Sequence, residues 1–273
     1  MQLTKLRTLS VALAASFAAG LAATSASAAP VEGDVPTFQE FAATTFQDAD
    51  GQYIVNGDEP EGSKGGLRQF YDVMVTGPRH VDAESLIINQ VSGRDDRWSQ
   101  AAVGNLTYCV STKFGADYSR VVSAMAAGAG QWEAASSAVN YTHVSTQDGS
   151  CTTRNSSVVF SVEPTKTTQY IARAFFPSTS KSGRNVLVNA KSLYSSGSWT
   201  PSNIMAHELG HTLGFRHEHT RPEAGTCFED NNWRPLTPYD SASIMHYPQC
   251  NGTSDDLSMT ASDRAGVQAV YGS

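Results

Sequence analysis

One stretch constrains this chain more than any other: His207-Glu208-Leu209-Gly210-His211-Thr212-Leu213-Gly214-Phe215-Arg216-His217. Two histidines four positions apart on a helix project from one face about a turn from each other. Their imidazoles therefore come within reach of a single metal ion. Gly214 marks where the helix must end, because glycine takes positive φ without steric cost and lets the chain reverse. His217 can then swing back as a third ligand. Three imidazoles with an open fourth position suit a catalytic zinc rather than a closed structural one. Neutral ligands leave the zinc its charge for acidifying a bound water and polarising a carbonyl. Glu208, beside the first ligand, is placed to take the water's proton and pass it to a leaving amine. A surface helix that merely carries histidines is the bland alternative. A chance match at five fixed positions in one chain of this length is on the order of one in 10⁵ at average residue usage.

The beginning of the chain sets the compartment. Lys5 and Arg7 precede an apolar run from Leu9 to Leu21, followed by Ala26-Ser27-Ala28-Ala29-Pro30. Charge, a short greasy core and a small-residue cleavage site make residues 1–28 an expected signal peptide. The run is too short to cross a bilayer, so a secreted, extracellular protein with no membrane partner is expected. The four cysteines, Cys109, Cys151, Cys227 and Cys250, all lie beyond it, which in an exported protein suggests two disulfides. Three connectivities are open, and proximity favours Cys109–Cys151 with Cys227–Cys250. Net charge is -7, and losing Lys5 and Arg7 with the signal takes it to -9. No basic excess marks a nucleic-acid binder.

Charge and turn signals divide the exported part near residues 93–98. Residues 29–93 hold eleven acidic and three basic side chains, against fifteen and fourteen over 94–273. The earlier part is turn-rich, with apolar patches only at Tyr53-Ile54-Val55 and from Leu67 to Val75. It is too poor in core material to stand alone, so residues 29–97 are expected to be a pro-region folding against a larger domain of residues 98–273. In that domain Leu106–Val110 reads as a strand and Tyr118–Ala135 as an amphipathic helix. Val139–Val144, Ser157–Val162, Tyr170–Phe176 and Asn185–Asn189 read as strands. Helices are expected from about Ser202 and from Ala261 to Tyr271.

The extended histidine motif resembles that of the metzincin metallopeptidases, and Ser243-Ile244-Met245-His246-Tyr247 looks like their Met-turn. Glu218 after the third histidine, with Arg221 three further on, is similar to the astacin branch. The region from Trp98 onward also resembles the bacterial dual-action HEIGH metallopeptidases, with Leu209 in place of the isoleucine. The resemblance implies an α+β fold: a metzincin-like zinc peptidase domain with a twisted mixed sheet, an active-site helix and a Met-turn, preceded by a small pro-region. It implies a secreted zinc endopeptidase, expected as a monomer, acting on protein or peptide substrates. His207, His211 and His217 would hold one Zn²⁺, Glu208 would be the general base, and Tyr247 a mobile extra ligand that stabilises the transition state. Glu218 would anchor the mature N-terminus or a polar network, and Ile171–Phe175 is a candidate for an edge strand that substrate pairs with. Astacins keep themselves latent with an aspartate in F-x-G-D. Val31-Glu32-Gly33-Asp34 and Val55-Asn56-Gly57-Asp58 both end in Gly-Asp and lack the Phe, so Asp34 and Asp58 are candidates, with ordinary turn chemistry as the alternative. His219 and His246 are read as neighbours of the site, and Met245 as a residue packed beneath it.

Overall fold

Turn chemistry and short apolar patches give the leading segment small elements rather than a core. A computed structural model describes residues 35–76 and 86–273, so the signal segment, Asp34 and His80 lie outside the described residues. Thr37 caps α1 (Phe38–Thr44) in a reciprocal box with Glu40. Three short strands, β1 (Phe46–Gln47), β2 (Tyr53–Val55) and β3 (Glu59–Glu61), form an antiparallel sheet, and α2 (Lys64–Thr76) follows. Val55, Leu67 and Phe70 make a minor buried cluster of their own. Residues Pro36–Ser273 nevertheless belong to one compact unit.

Next come β4 (Ile87–Val91), β5 (Arg94–Asp95), α3 (Gln100–Val103), β6 (Leu106–Val110), α4 (Tyr118–Ala135), β7 (Tyr141–His143), β8 (Phe160–Pro164), β9 (Ala172–Arg173), β10 (Asn185–Val188) and α5 (Ala190–Leu193). The chain continues through α6 (Pro201–Thr212), β11 (Phe215–Arg216) and β12 (Trp233–Pro235) to α7 (Ala261–Tyr271). A mixed five-stranded sheet runs β7-β6-β8-β10-β9, parallel except for antiparallel β9 at its end. Strand β4 pairs antiparallel with β11, β12 and β5. Residues 87–95, which charge alone left in the leading segment, are thus built into the sheet that carries Phe215 and Arg216.

Strands β6, helix α4 and helix α7 match the sequence expectation in extent. Two strands start later than expected for local reasons. Asn155 Oδ1 accepts from Ser157 N and turns the chain before β8, and a Ser136–Val139 turn delays β7. Beyond Arg173 the backbone leaves the ladder as it approaches Pro177, which has no N–H to give. Both disulfides pair by proximity, Cys109–Cys151 and Cys227–Cys250.

Helix α6, which carries the histidine motif, is set by its ends and its back. Thr200 accepts from Asn203 N and Pro201 occupies the first turn. Gly214 has φ 100°, so the helix stops and reverses as expected. At the back, α4 approaches closely: Trp132 Nε1 donates to Ala206 O at 2.7 Å. A Cβ on Gly128 would lie 2.8 Å from Ala206 N and 2.9 Å from Met205 C, both backbone atoms. Gly128→Ala should therefore cost about 1–3 kcal/mol in urea unfolding, despite a helix-propensity gain of about 1 kcal/mol. Gly130→Ala, where a Cβ meets nothing within 4 Å, should instead stabilise. If both midpoints move the same way, helix contact at Gly128 is not what positions α6.

Candidate active site

On one face of α6 stand His207 and His211, with His217 returning after β11. All three rings are buried, and the His207 and His217 Nε2 atoms lie 3.3 Å apart. Each ring is held from behind. His207 Nδ1 donates to Ile244 O at 2.7 Å, and His211 Nδ1 donates to Phe215 O at 2.9 Å. His217 Nδ1 lies 2.7 Å from Glu229 Oε1. Carbonyl and carboxylate oxygens can only accept, so the Nδ1 atoms carry hydrogens and the three Nε2 atoms face inward.

The residue facing them comes from the leading segment. Asp58 lies between β2 and β3, with its carboxylate 3.4 Å from His207 Nε2, 3.5 Å from His211 Nε2 and 3.2 Å from His217 Nε2. The Tyr247 hydroxyl also donates to Asp58, while its ring stacks on His207 with centroids 5.4 Å apart. Glu208, Tyr247 and Asp58 share a cavity of about 210 Å³ with Tyr170, Ile171 and Ala172 at the end of the five-stranded sheet. Of the candidate stretch Ile171–Phe175, Ala172 and Arg173 form the end strand β9 of that sheet.

These donors fit a cation. Burial lowers the affinity of His207 and His211 for a proton, against the pull of Asp58, so these rings are neutral. Their lone pairs would then face the lone pairs of Asp58, and His211 Nε2 and Asp58 Oδ1 are buried with no hydrogen-bond partner. For His217, burial works downward, but Glu229 and Asp58 on its two sides hold its pKa well above the usual range. A divalent ion would supply the positive charge this arrangement calls for, and the four residues group closely enough to hold one. Burial, with the Asp58 charge added, raises the Glu208 carboxyl well above the usual range.

Asp263, Glu229 and Asp230 escaped the sequence reading. Asp263, in a capping box with Thr260, accepts from Ser243 Oγ at 2.5 Å and Ile244 N at 2.9 Å. It fixes the turn that holds His207. Met245 fills the underside of α6, since a Cβ on Gly210 would fall 2.4 Å from its Sδ. Glu229 contacts both His217 and His219, and Arg216 binds Asp230 at 2.6 Å, Glu59 at 3.0 Å and Glu229 at 3.4 Å. The Thr260-Asp263 box was a recognisable signal. Glu229 and Asp230 lie in a loop and carried none. Glu218 is buried in a polar network, accepting from Arg221 Nη1 at 3.4 Å and Asp240 N at 3.2 Å. His219 and His246 stand beside the three rings, His219 accepting from Tyr247 N at 3.2 Å.

Comparison with known proteins agrees with this geometry. The model of the dual-action HEIGH metallopeptidases matches residues 89–271, and the chain belongs to that family. It is also similar to zinc metalloproteinase nas-30 of Caenorhabditis elegans, 40% identical over 63 residues, which is 16% of this chain and 8% of that protein. High choriolytic enzyme 2 of Oryzias latipes is 38% identical over 63 residues, 17% of this chain and 22% of that protein. The chain thus spans a small part of the curated relatives it matches. Membership in a metallopeptidase family fits the histidine cluster, a site that a metal ion can occupy. Among the described residues no helix is long and apolar enough to cross a membrane.

Because Glu229 orients His217 from behind, Glu229→Gln should weaken zinc binding by about 10–100-fold. Titration against a chromogenic chelator reads this directly. Unchanged affinity in a variant that keeps its circular dichroism would remove Glu229 from the site.

Proposed function

We propose that this chain is a secreted zinc endopeptidase made as a latent precursor, with His207, His211 and His217 as zinc ligands and Glu208 as general base. The observation that carries the reading is the convergence of three inward-facing imidazoles on a cavity shared by Glu208, Tyr247 and the Asp58 carboxylate. When bound, zinc supplies a Lewis acid that acidifies water and polarises a peptide carbonyl. Glu208 takes the proton of the attacking water and delivers it to the leaving amine as the C–N bond breaks. Tyr247, freed of Asp58, has a hydroxyl to donate to the negative charge that develops on the carbonyl oxygen. The turn at Met245 acts as the Met-turn, packing beneath α6 and presenting Ile244 O to His207. The extended backbone beside Ile171 receives the substrate as an added strand.

In the precursor, Asp58 would hold the metal together with the three histidines and so keep water and substrate out. Release requires removal of β1 to α2. Since β4 pairs with β11 next to His217, the maturation cut belongs ahead of Leu86 rather than at 97. Residues 1–28 direct export, and a monomer acting on extracellular protein is the working unit.

Casein hydrolysis by the secreted chain after trimming ahead of Leu86 tests this. Activity should vanish with a zinc chelator and fall by about 10²–10⁴-fold in Glu208→Gln. A zinc-loaded, trimmed protein that leaves casein intact would sink the reading. Separately, the untrimmed Asp58→Ala chain should hydrolyse casein at a rate at least about tenfold above the untrimmed parent, since a carboxylate ligand no longer fills the fourth position. Equal latency in the two chains would remove Asp58 from the mechanism.

A further inference from the structure

The Cys227–Cys250 disulfide joins two short segments that both belong to the surroundings of His217. Glu229, which meets His217 Nδ1 at 2.7 Å, stands two residues after Cys227. Tyr247, whose ring centroid lies 4.5 Å from that of His217, stands three residues before Cys250. His219 touches both sides: its Nε2 lies 3.1 Å from Glu229 Oε1, and its Nδ1 accepts from Tyr247 N at 3.2 Å. Next to Cys250, Asn251 Nδ2 donates to Ala224 O at 2.9 Å, at the start of the loop that carries Cys227.

The backbone that delivers Glu229 does not sit at its own preference. Gly225 has φ 70° and Cys227 φ 54°. Glycine accepts the left-handed region freely, whereas a cysteine is held there against the crowding of its Cβ. Beyond Cys227 the chain is anchored on Thr220, whose Oγ1 accepts from Glu229 N at 3.0 Å. At Cys227 itself the anchor is the covalent bond to Cys250. Access to the two disulfides also differs. Cys227 is exposed, while Cys109 and Cys151 are both buried in a cluster with Val158. A thiolate approaching from solvent therefore meets Cys227 first.

We propose, resting on the assignment of His217 as a zinc ligand, that the Cys227–Cys250 disulfide is the positioning element for Glu229 and makes zinc retention sensitive to dithiol reductants. A thiolate of the dithiol attacks Cys227 Sγ, the S–S bond breaks and Cys250 leaves as a thiolate. The second thiolate then attacks the reductant's own sulfur in the mixed disulfide, closing a cyclic disulfide and releasing Cys227. The protein disulfide gains two electrons and two protons, and the dithiol gives up both. Cys227 then relaxes from the left-handed region and Glu229 shifts off His217 Nδ1. The ring loses the acceptor that aims its Nε2 at the metal.

In the test, the full chain is exposed briefly to dithiothreitol, its thiols are trapped with iodoacetamide, and the modified peptides are identified by mass. Cys227 and Cys250 should be modified while Cys109 and Cys151 stay joined. Opening of the buried pair first, or of both together, overturns the proposal. Zinc affinity is then read against a chromogenic chelator in the Cys227→Ser/Cys250→Ser chain. It should be weaker by about tenfold or more with circular dichroism kept, while Cys109→Ser/Cys151→Ser holds zinc within a few-fold of the parent. The trapped parent supplies the same measurement should the first variant not fold. Unchanged affinity in the opened chain overturns the clamp alone, and loss of dichroism in both opened forms does too. So does an equal loss of affinity in the two double variants, which marks only the general cost of losing a cross-link. A parent with both disulfides intact that takes up no zinc overturns the zinc-site reading and the clamp with it.

Discussion

Each of the three imidazoles is held through its second nitrogen, and each acceptor belongs to a different part of the chain. Ile244 O comes from a turn, Phe215 O from β11, and the Glu229 carboxylate from a loop. A helix can bring His207 and His211 to one face, but it cannot decide which nitrogen faces the metal. That choice lies with the acceptors. The turn at Ile244 in turn hangs on Asp263, so the capping of α7 supports the orientation of a ring on α6. Strand β11 depends on β4, which explains why residues ahead of 98 belong to the working fold. The site is a product of the whole larger unit, and the buried polar bonds that make it are costly to break singly.

Charged groups make the defining contacts of the leading segment with the rest of the fold. Its own buried apolar cluster amounts to Val55, Leu67 and Phe70. Against the rest of the fold it sets Asp48 and Asp50 on Arg173, Asp58 on the histidines and Glu59 on Arg216. Its acidic excess, eleven residues against three basic ones over 29–93, is thus partly a set of plugs for cationic positions. The fit around Arg216 is crowded: Glu59, Glu229 and Asp230 share one guanidinium. Burial raises Glu59 to about 7, and the charge of Glu229 adds to this against the opposing pull of Arg216. A buried charge pair contributes little net stability when its desolvation is counted. Such contacts would suit the proposed pro-region, specific in a precursor and removable later.

Much of the site was legible because its signals are local. The spacing of His207 and His211, the stop at Gly214 and the helical period of Tyr118–Ala135 each depend on neighbours within a few residues. What sequence could not reveal depends on contacts between distant parts. Glu229 reaches His217 from a loop with no periodicity, and Arg173 meets Asp48 across 125 positions. Charge balance and turn signals grouped β4 with the leading segment, while its pairing with β11 and β12 depends on residues more than a hundred positions away. Strand ends at Tyr141 and Phe160 moved because side-chain and backbone turns nearby took up the first residues.

If the Gly-Asp at 57–58 is the latency motif proposed above, its surroundings explain how the motif could lose a residue and keep its geometry. Gly57 has φ +95°, and a Cβ there would lie 3.2 Å from Tyr247 Cε2. The backbone must pass that ring closely to deliver Asp58, so glycine is required on both counts. Asn56 adopts φ 53° and ties the turn by donating to Glu59 Oε2 at 2.6 Å; asparagine tolerates that conformation better than most residues. Two positions before Gly57, where the astacin pattern has Phe, stands Val55, buried in the small cluster of the leading segment. Its task is to root β2 in that cluster, which any apolar side chain of fitting size can do. The glycine and the carboxylate answer to the catalytic rings, while the residue two before answers only to its own small core. The first two are therefore fixed and the third is free to vary.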